Sequence, residues 1–398
     1  MASDPSLPAE HDPAQDAAEL AQTAADFLKS GRRDVAELYA RGALDTDPRN
    51  AAARRLLDDL ARALRPPVRS AARAASRFLL VREWAQGFWS DVDHVLGMCL
   101  LAEITGRMPV VWWGAQSRFS PGGAANAWEQ FFEPVSDVKL PALSKLGLFP
   151  SKWRDQPLTG PIRNRWSGDG SRLVGLELLA RDEPVVVSDF HTGMKALLPW
   201  LPASHPLAGA SLRDAYRSLA RKYLRPRLEI LAEADRFAAA HFGGRPLIGV
   251  HVRGSDKVEE VSDLEDILAD YFRVLDGRLR ARPEAGIFLL TDDERVRAVY
   301  EQRYGTKLVA TSCARSSSNV GVHYMADRDP ARIGMEVMVD TYLATRCSEF
   351  IGLGFSNVSL YVSYLKDWPP GSCNLLDANA HEAWNVVALL MNPPPGAD

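Results

Sequence analysis

Short apolar runs that break abruptly into polar residues, with helical stretches between them, constrain this chain more than any other feature of its sequence. The sharpest is LIGV at residues 247–250, which gives way to His251, Val252 and Arg253 and then to Gly254, Ser255, Asp256 and Lys257. The run is short, rich in β-branched residues and closed by glycine and serine, so it predicts an interior strand of a parallel sheet rather than a helix. Side chains alternate faces along a strand, which puts His251 and Arg253 on one face at its carboxyl end. In open α/β sheets that end is where ligands bind. The alternative for this stretch alone is an arginine capping a strand and a lysine left in solvent.

The same texture recurs from about Phe78. FLLVREW and MPVVWWG flank the helical pattern DHVLGMCLLAEITG and predict a βαβ unit. EPVVVSDFH reads as another strand, with Asp189 and His191 at its end. A long helix is expected around Ser211 to His241, followed by the strand described above and then by GIFLLTDDE, TKLVATS and CSEFIGLGFSN. This alternation predicts an α/β protein with two Rossmann-like halves, residues 76–240 and 241–380, the boundary falling near Ala238 to Arg245.

Residues 1–15 read as disordered, 16–65 as helical and 381–398 as a tail. Helices are expected over Ala17 to Ser30, Arg33 to Leu44 and Asn50 to Leu64, with a break at Gly31 and a linker at RPPVRS. The stretch GRRDVAELYARGALDTDPRNAAARRLL resembles a tetratricopeptide repeat: Gly31 falls at the inter-helix turn, Ala36 and Ala43 where paired helices touch, and Pro48 after the second helix. Ala40 departs from it, standing where the repeat often has an aromatic. Such arrays need about three or more repeats to bury a continuous core, so the segment is expected to dock on the body of the protein or on a protein partner. A plain helical hairpin is the alternative.

At 398 residues, 46% hydrophobic and 25% charged, the chain is long enough for two halves and an appendage. A net charge of −4 and a pI near 6.1 give no basic field, which argues against nucleic acid or an anionic membrane as a partner. Cys99, Cys313, Cys347 and Cys373 form no CxxC pair and stand at no metal-ligand spacing with a histidine, so no structural zinc is expected. The acidic, Pro-rich start has no apolar core of a secretory signal, and no apolar run approaches the roughly 18 residues of a membrane span. A cytoplasmic protein is the expectation.

Three strand ends in the second half point to one chemistry. His251, Arg253, Asp256 and Lys257 follow the first; Thr291, Asp292 and Asp293 follow the second; GLGFSN, with Gly354, Phe355, Ser356 and Asn357, follows the third and opens the helix VSLYVSYL. A glycine-rich turn opening a helix presents backbone N–H groups and the positive end of the dipole, which suits a phosphate. A neighbouring arginine can grip a second phosphate in bidentate fashion. The inference is a diphosphate pocket that needs no metal. GLGFSN as a dinucleotide fingerprint lacks the third glycine and the later ribose-binding acid.

These residues resemble the fucosyltransferase superfamily typified by the α-1,6-fucosyltransferases and the bacterial nodulation fucosyltransferases. The resemblance covers roughly Tyr223 to Leu365 and rests on YLRP, on GVHVRGSDK against the family's GVHVRRTDK, on IFLLTDD against its FLATDD, and on VDTYLATRCSEFIGLGFSN. It implies a GT-B architecture and an inverting, metal-independent transfer of a sugar, typically L-fucose from GDP-fucose, to an acceptor hydroxyl. By position it implies Arg253 on the β-phosphate, His251 and Asp340 on the guanosine, and Ser356 on the diphosphate. Gly254 stands where the family has a second arginine, and Val261 where it has an acid, with Glu259 and Glu260 nearby.

Charge on a departing diphosphate is then stabilised by Arg253, Lys257 and the amides of Gly354 to Asn357, with Phe355 in the same turn. For the base that activates the acceptor, Glu260, Asp256, Asp91 and Asp189 all stay open. Asp91 is also expected to cap the helix after it, with Phe88 and Trp89 facing the cleft. Asp292 or Asp293 is expected to cap the helix ERVRAVYEQRY, and Asp292 also remains a cleft candidate. Tyr223 and Arg225 either pack between the halves or line the cleft. A non-catalytic binding protein on a retained fold, and an enzyme using another nucleotide sugar, are the competing readings.

Overall fold

A computed structural model describes residues 12–29, 33–63, 77–123, 125–162, 181–188, 193–198, 201–254, 264–318, 320–325 and 327–376. Gly31, Asp189, His191, Ser255, Asp256, Lys257, Glu259, Glu260, Val261 and the C-terminal tail lie outside the described residues.

Three helices come first: α1 (Pro13–Lys29), α2 (Arg33–Thr46) and α3 (Ala51–Ala63). The first starts earlier than expected, because the Asp12 carboxylate accepts the N–H of Ala14 and Pro13 supplies a preset first helical residue. Asn50 caps α3 by accepting the N–H of Ala53 at 3.0 Å. The helices meet through small side chains, among them Ala17, Ala21, Ala24, Ala40, Ala43 and Ala53. Ala40 is fully buried, so at this contact alanine serves where a larger ring would hold the helices apart.

The first α/β half contains β1 (Phe78–Arg82), α4 (Phe88–Ile104), β2 (Met108–Trp112), α5 (Leu140–Leu143), β3 (Leu148–Phe149), β4 (Val185–Ser188) and α6 (Met194–Leu197). Its parallel sheet has the order β2-β1-β4-β3, with β1 registered Leu80 to Val110 on one side and Leu80 to Val187 on the other. The expected βαβ unit is β1-α4-β2.

The long helix expected over residues 211–241 is two helices, α7 (Leu212–Tyr223) and α8 (Leu228–His241). Pro226 is the reason: it lacks an N–H and pushes Arg225 out of the helical region. The extended residues between the helices pair with the first half instead. Glu133 donates its N–H to the Arg225 carbonyl at 2.8 Å, and Arg227 donates to Phe131 at 2.9 Å.

The second half runs β5 (Leu247–His251), α9 (Leu264–Ala281), β6 (Gly286–Leu290), α10 (Glu294–Tyr304), β7 (Leu308–Val309), α11 (Pro330–Thr345), β8 (Glu349–Leu353), α12 (Asn357–Leu365) and β9 (Cys373–Leu376). Its sheet is again wholly parallel, in the order β7-β6-β5-β8-β9. The chain grows outward from β5 in one direction and then crosses to β8 on the other side, so the crevice between β5 and β8 is a topological switch point.

The two halves share one hydrophobic core, in which Trp89, Phe119 and Phe131 of the first meet Ile333, Leu343 and Tyr361 of the second. Gly334 lets α11 come this close: a Cβ there would fall 2.6 Å from the Phe131 ring. Trp89 stacks on Tyr361 with ring centroids 4.5 Å apart and donates its indole N–H to the Thr341 hydroxyl at 2.9 Å. Asp93 on α4 accepts the Tyr216 hydroxyl of α7 at 2.5 Å and the Tyr361 hydroxyl of α12 at 3.5 Å. Among the described residues no helix is long and apolar enough to cross a membrane.

Candidate functional site

A cavity of about 350 Å³ opens between the halves at the carboxyl ends of their strands. The first half contributes the loop and first turn after β1, Gln86 to Ser90, together with Phe119. The second contributes residues after β5 (Arg253), after β6 (Thr291 and Asp292), after β7 (Cys313 and Ala314), from α11 (Glu336 and Asp340) and from the start of α12. The cavity lies at the switch point between β5 and β8, and His251 and Arg253 both line it.

Each wall is fixed by local chemistry. Asp293 caps α10, its carboxylate accepting the N–H groups of Arg295 and Val296. Asp292 beside it faces the cavity and accepts the Gly254 N–H at 3.2 Å. The two carboxylates of TDD therefore divide between a cap and the cleft. Asp329 caps α11 with Pro330 at the first helical position, and this helix carries Glu336 and Asp340, one turn apart, to the cavity. Glu336 holds the loop after β7 by accepting the Ala314 N–H at 2.8 Å.

Asp340 is buried and accepts the Thr311 hydroxyl at 2.7 Å. Burial raises its carboxyl to about 6, against the lowering effect of the Thr311 and Cys313 hydrogen bonds. The Cys313 thiol is pushed up by burial and by the Asp340 charge, so it is not a thiolate at neutral pH. Burial, then the Arg253 charge, pushes His251 down to about 3, which keeps its ring neutral.

The turn before α12 differs from expectation. Phe355 and Asn357 line the cavity, but Gly354 and Ser356 lie behind its wall. The Gly354 N–H goes to the Leu376 carbonyl at 2.6 Å and the Ser356 N–H to Leu353 at 3.1 Å, because β9 extends the sheet past β8 and the turn is tight. The Ser356 hydroxyl is fully buried, with no hydrogen-bond partner among the described residues. The anion-seeking face of this turn is thus narrower than four amides.

Asp91 is corrected in the same way. It sits inside α4, whose cap is Gly87, and its carboxylate accepts the N–H groups of Ala85 and Gln86 at 3.1 and 2.8 Å. It is fully buried and shapes the loop whose residues reach the cavity, rather than reaching it itself. Phe88 and Trp89 do line the cleft, as expected. Neither Tyr223 nor Arg225 lines the cavity: the buried Tyr223 donates its hydroxyl to Glu103, and the exposed Arg225 donates to the Pro134 carbonyl.

Several cavity residues escaped the sequence reading. Glu336 precedes Asp340 by one turn, a spacing that marks one helix face. His323 and Tyr324 come from a single 3-10 turn, Val322–Tyr324, too short to leave a periodic signal. The Tyr324 ring lies under the Arg118 guanidinium of the first half, 4.2 Å away.

No family model matches the chain, and no curated protein matches it. Among solved structures it is similar to the NodZ α-1,6-fucosyltransferase co-crystallized with GDP, at 21% identity over 73% of this chain and 92% of that one, with a TM-score of 0.48. A second is a mutant of Arabidopsis thaliana FUT1 in complex with GDP, 10% identical over 81% of this chain and 80% of that one, TM-score 0.48. A third is POFUT1 in complex with GDP, 15% identical over 75% and 98%, TM-score 0.44. Likenesses this distant transfer no residue's role.

Proposed function

We propose that this chain is a glycosyltransferase of the GT-B kind that takes a GDP-sugar, GDP-fucose foremost, and moves the sugar to an acceptor hydroxyl with inversion. The observation that carries the reading is the meeting of Arg253 and the N-terminal end of α12 in one cavity between two parallel-sheet halves. Breaking the bond between sugar and diphosphate builds negative charge on the leaving oxygen. A guanidinium fork and the positive end of a helix dipole are two preorganised groups for that charge. In this reading they act without a divalent ion, with Lys257 as a further cation.

The base end of the cavity suits a purine that offers N–H donors. Asp340 and Glu336 are acceptors on adjacent turns of one helix, and a carboxylate facing donors favours guanine over adenine. For the acceptor hydroxyl, Glu260 or Asp256 on the segment after Arg253 is the proposed base, with Asp292, which lines the cavity beside Gly254, as the alternative. The tetratricopeptide likeness of the N-terminal helices is part of the same proposal, as a module that recruits a partner.

A second reading, a binding protein that has lost turnover, is favoured by one observation. A side chain at residue 254 would fall 2.7 Å from the Asp293 Cβ and carboxylate, so this strand end accommodates a single arginine. Calorimetry with GDP, UDP, ADP and CMP in the presence of EDTA separates the readings when followed by a GDP-fucose turnover assay. Selective GDP binding and turnover, both lost in Arg253→Ala, is the expected result. Binding with no hydrolysis or transfer would favour the second reading, and no binding by folded protein would overturn both.

A further inference from the structure

His251 ends β5 with its side chain buried, and its Nδ1 lies 2.6 Å from the Ser359 hydroxyl on α12. The same oxygen accepts the backbone N–H of Leu353 at 2.9 Å. Ser359 reaches this position because residue 352 is glycine: a Cβ there would fall 2.5 Å from the Ser359 oxygen and 2.8 Å from its Cβ. Strand β8, helix α12 and strand β5 are therefore joined at one fully buried hydroxyl.

The hydroxyl has one proton and already accepts from Leu353. If the imidazole donated from Nδ1, the hydroxyl proton would need another acceptor, and among the described residues Ser359 has no further hydrogen-bond partner. A buried O–H without an acceptor is costly, so the hydroxyl donates to Nδ1 and the ring proton resides on Nε2. Nε2 has no protein partner among the described residues, and His251 lines the cavity.

We propose that Ser359 is a positioning residue that holds His251 as its Nε2–H tautomer, presenting the cavity with an uncharged N–H donor beside Arg253. What sets the tautomer at one nitrogen is the hydrogen bond at the other. The charged and titratable groups facing the same cavity are Arg253 beyond β5, Asp292 beyond β6, Cys313 beyond β7, His323 and Tyr324 ahead of α11, and Glu336 and Asp340 on α11; Tyr271 of α9 donates to the His251 carbonyl. Burial and Arg253 together keep the ring neutral at physiological pH. A ring already protonated at Nε2 cannot take a proton from an acceptor hydroxyl there, so His251 binds rather than acts as base. Its complement is an acceptor oxygen on a phosphate or ribose. The identity of that ligand rests on the proposed donor site; the tautomer does not.

Two-bond proton–nitrogen correlation spectra of the full chain with 15N-labelled histidine read the tautomer directly, His251 being assigned by its loss in His251→Gln. The expected spectrum of ligand-free protein is the Nε2–H pattern, unchanged from about pH 5 to 8. Ser359→Ala should move it toward the other tautomer or a mixture and weaken GDP binding about tenfold, one hydrogen bond's worth. An Nδ1–H or imidazolium pattern in the unaltered protein overturns the proposal, as does an unchanged spectrum in Ser359→Ala. Should that variant fail to fold, the unaltered protein's spectrum still decides. The Nε2–H pattern without binding of any nucleotide would support the tautomer and overturn the donor reading.

Discussion

Two arginines follow equivalent strands in the two halves, and they do different things. Arg82 closes β1 and is fully buried. Its guanidinium donates to Glu83 at 3.2 Å, to the Leu158 carbonyl at 2.6 Å and to Gly160 at 3.0 Å, and lies over the Trp153 ring. Glu83 in turn accepts the Gly114 N–H from the end of β2. Arg253 follows β5, is only half-buried, and borders the cavity. Strand-end charge is thus closed over in one half and brought to the edge of a cavity in the other, where the proposed function uses it. Residues 153–160 cover the end of β1, whereas the end of β5 faces the opposite half across a cleft.

That contrast can be broken by experiment. Arg82→Ala strips a buried carboxylate of its partner and should destabilise the fold by about 3–5 kcal/mol; a change below about 1 kcal/mol in urea unfolding would show that Arg82 is not the structural member of the pair. Arg253→Ala should raise the Kd for GDP roughly 100-fold, about 2.7 kcal/mol, while the unfolding midpoint hardly moves. An arginine whose loss unfolds the protein would erase the distinction.

Two further variants sharpen it. Gly254→Ala forces a Cβ against Asp293, which caps α10, and should cost about 1–3 kcal/mol of stability; free tolerance would mean that residue 254 can after all carry a side chain. Asp93→Asn has the smallest expected effect. Burial raises the Asp93 carboxyl to about 6, while the Tyr216 and Tyr361 hydroxyls lower it. Between about pH 4 and 6 the folded state then holds more protons than the unfolded one, so stability falls as pH rises through that window. The asparagine variant should lose this slope, gaining on the order of 1 kcal/mol on the wild type between pH 5 and pH 8, because Asp93 keeps some solvent exposure. Equal slopes in paired urea titrations would contradict it.

The central strands were legible because each is an uninterrupted apolar run flanked by polar residues, and burial on both sheet faces demands just that of β1, β4, β5, β6 and β8. Strand β3 has two residues and β9 only partly buried ones, so neither leaves a pattern. The break at Pro226 was written in the sequence but was outweighed by apolar periodicity on both sides. Of the residues that line the cavity, Arg253, His251, Asp292 and Asp340 were singled out from strand ends and motif order. Gly354, Ser356 and Asp91 were misplaced because sequence shows a residue's type but not which backbone group has already claimed it. His323 and Tyr324 have a tertiary origin: loop chain brought over the cleft by the packing of α11.

The glycine at 334 and the ring of Phe131 have a consequence for anyone who would divide this chain. With an aromatic ring of one half seated against the bare backbone of a helix in the other, neither half carries its own finished interior. Cut near residue 241 and produced separately, each fragment would expose an oily face and aggregate, and the intact chain should melt in one step across both sheets. A cleft formed in this way is a seam in a single folded body, and its opening is expected to proceed by sliding of packed helices rather than by swinging on a linker.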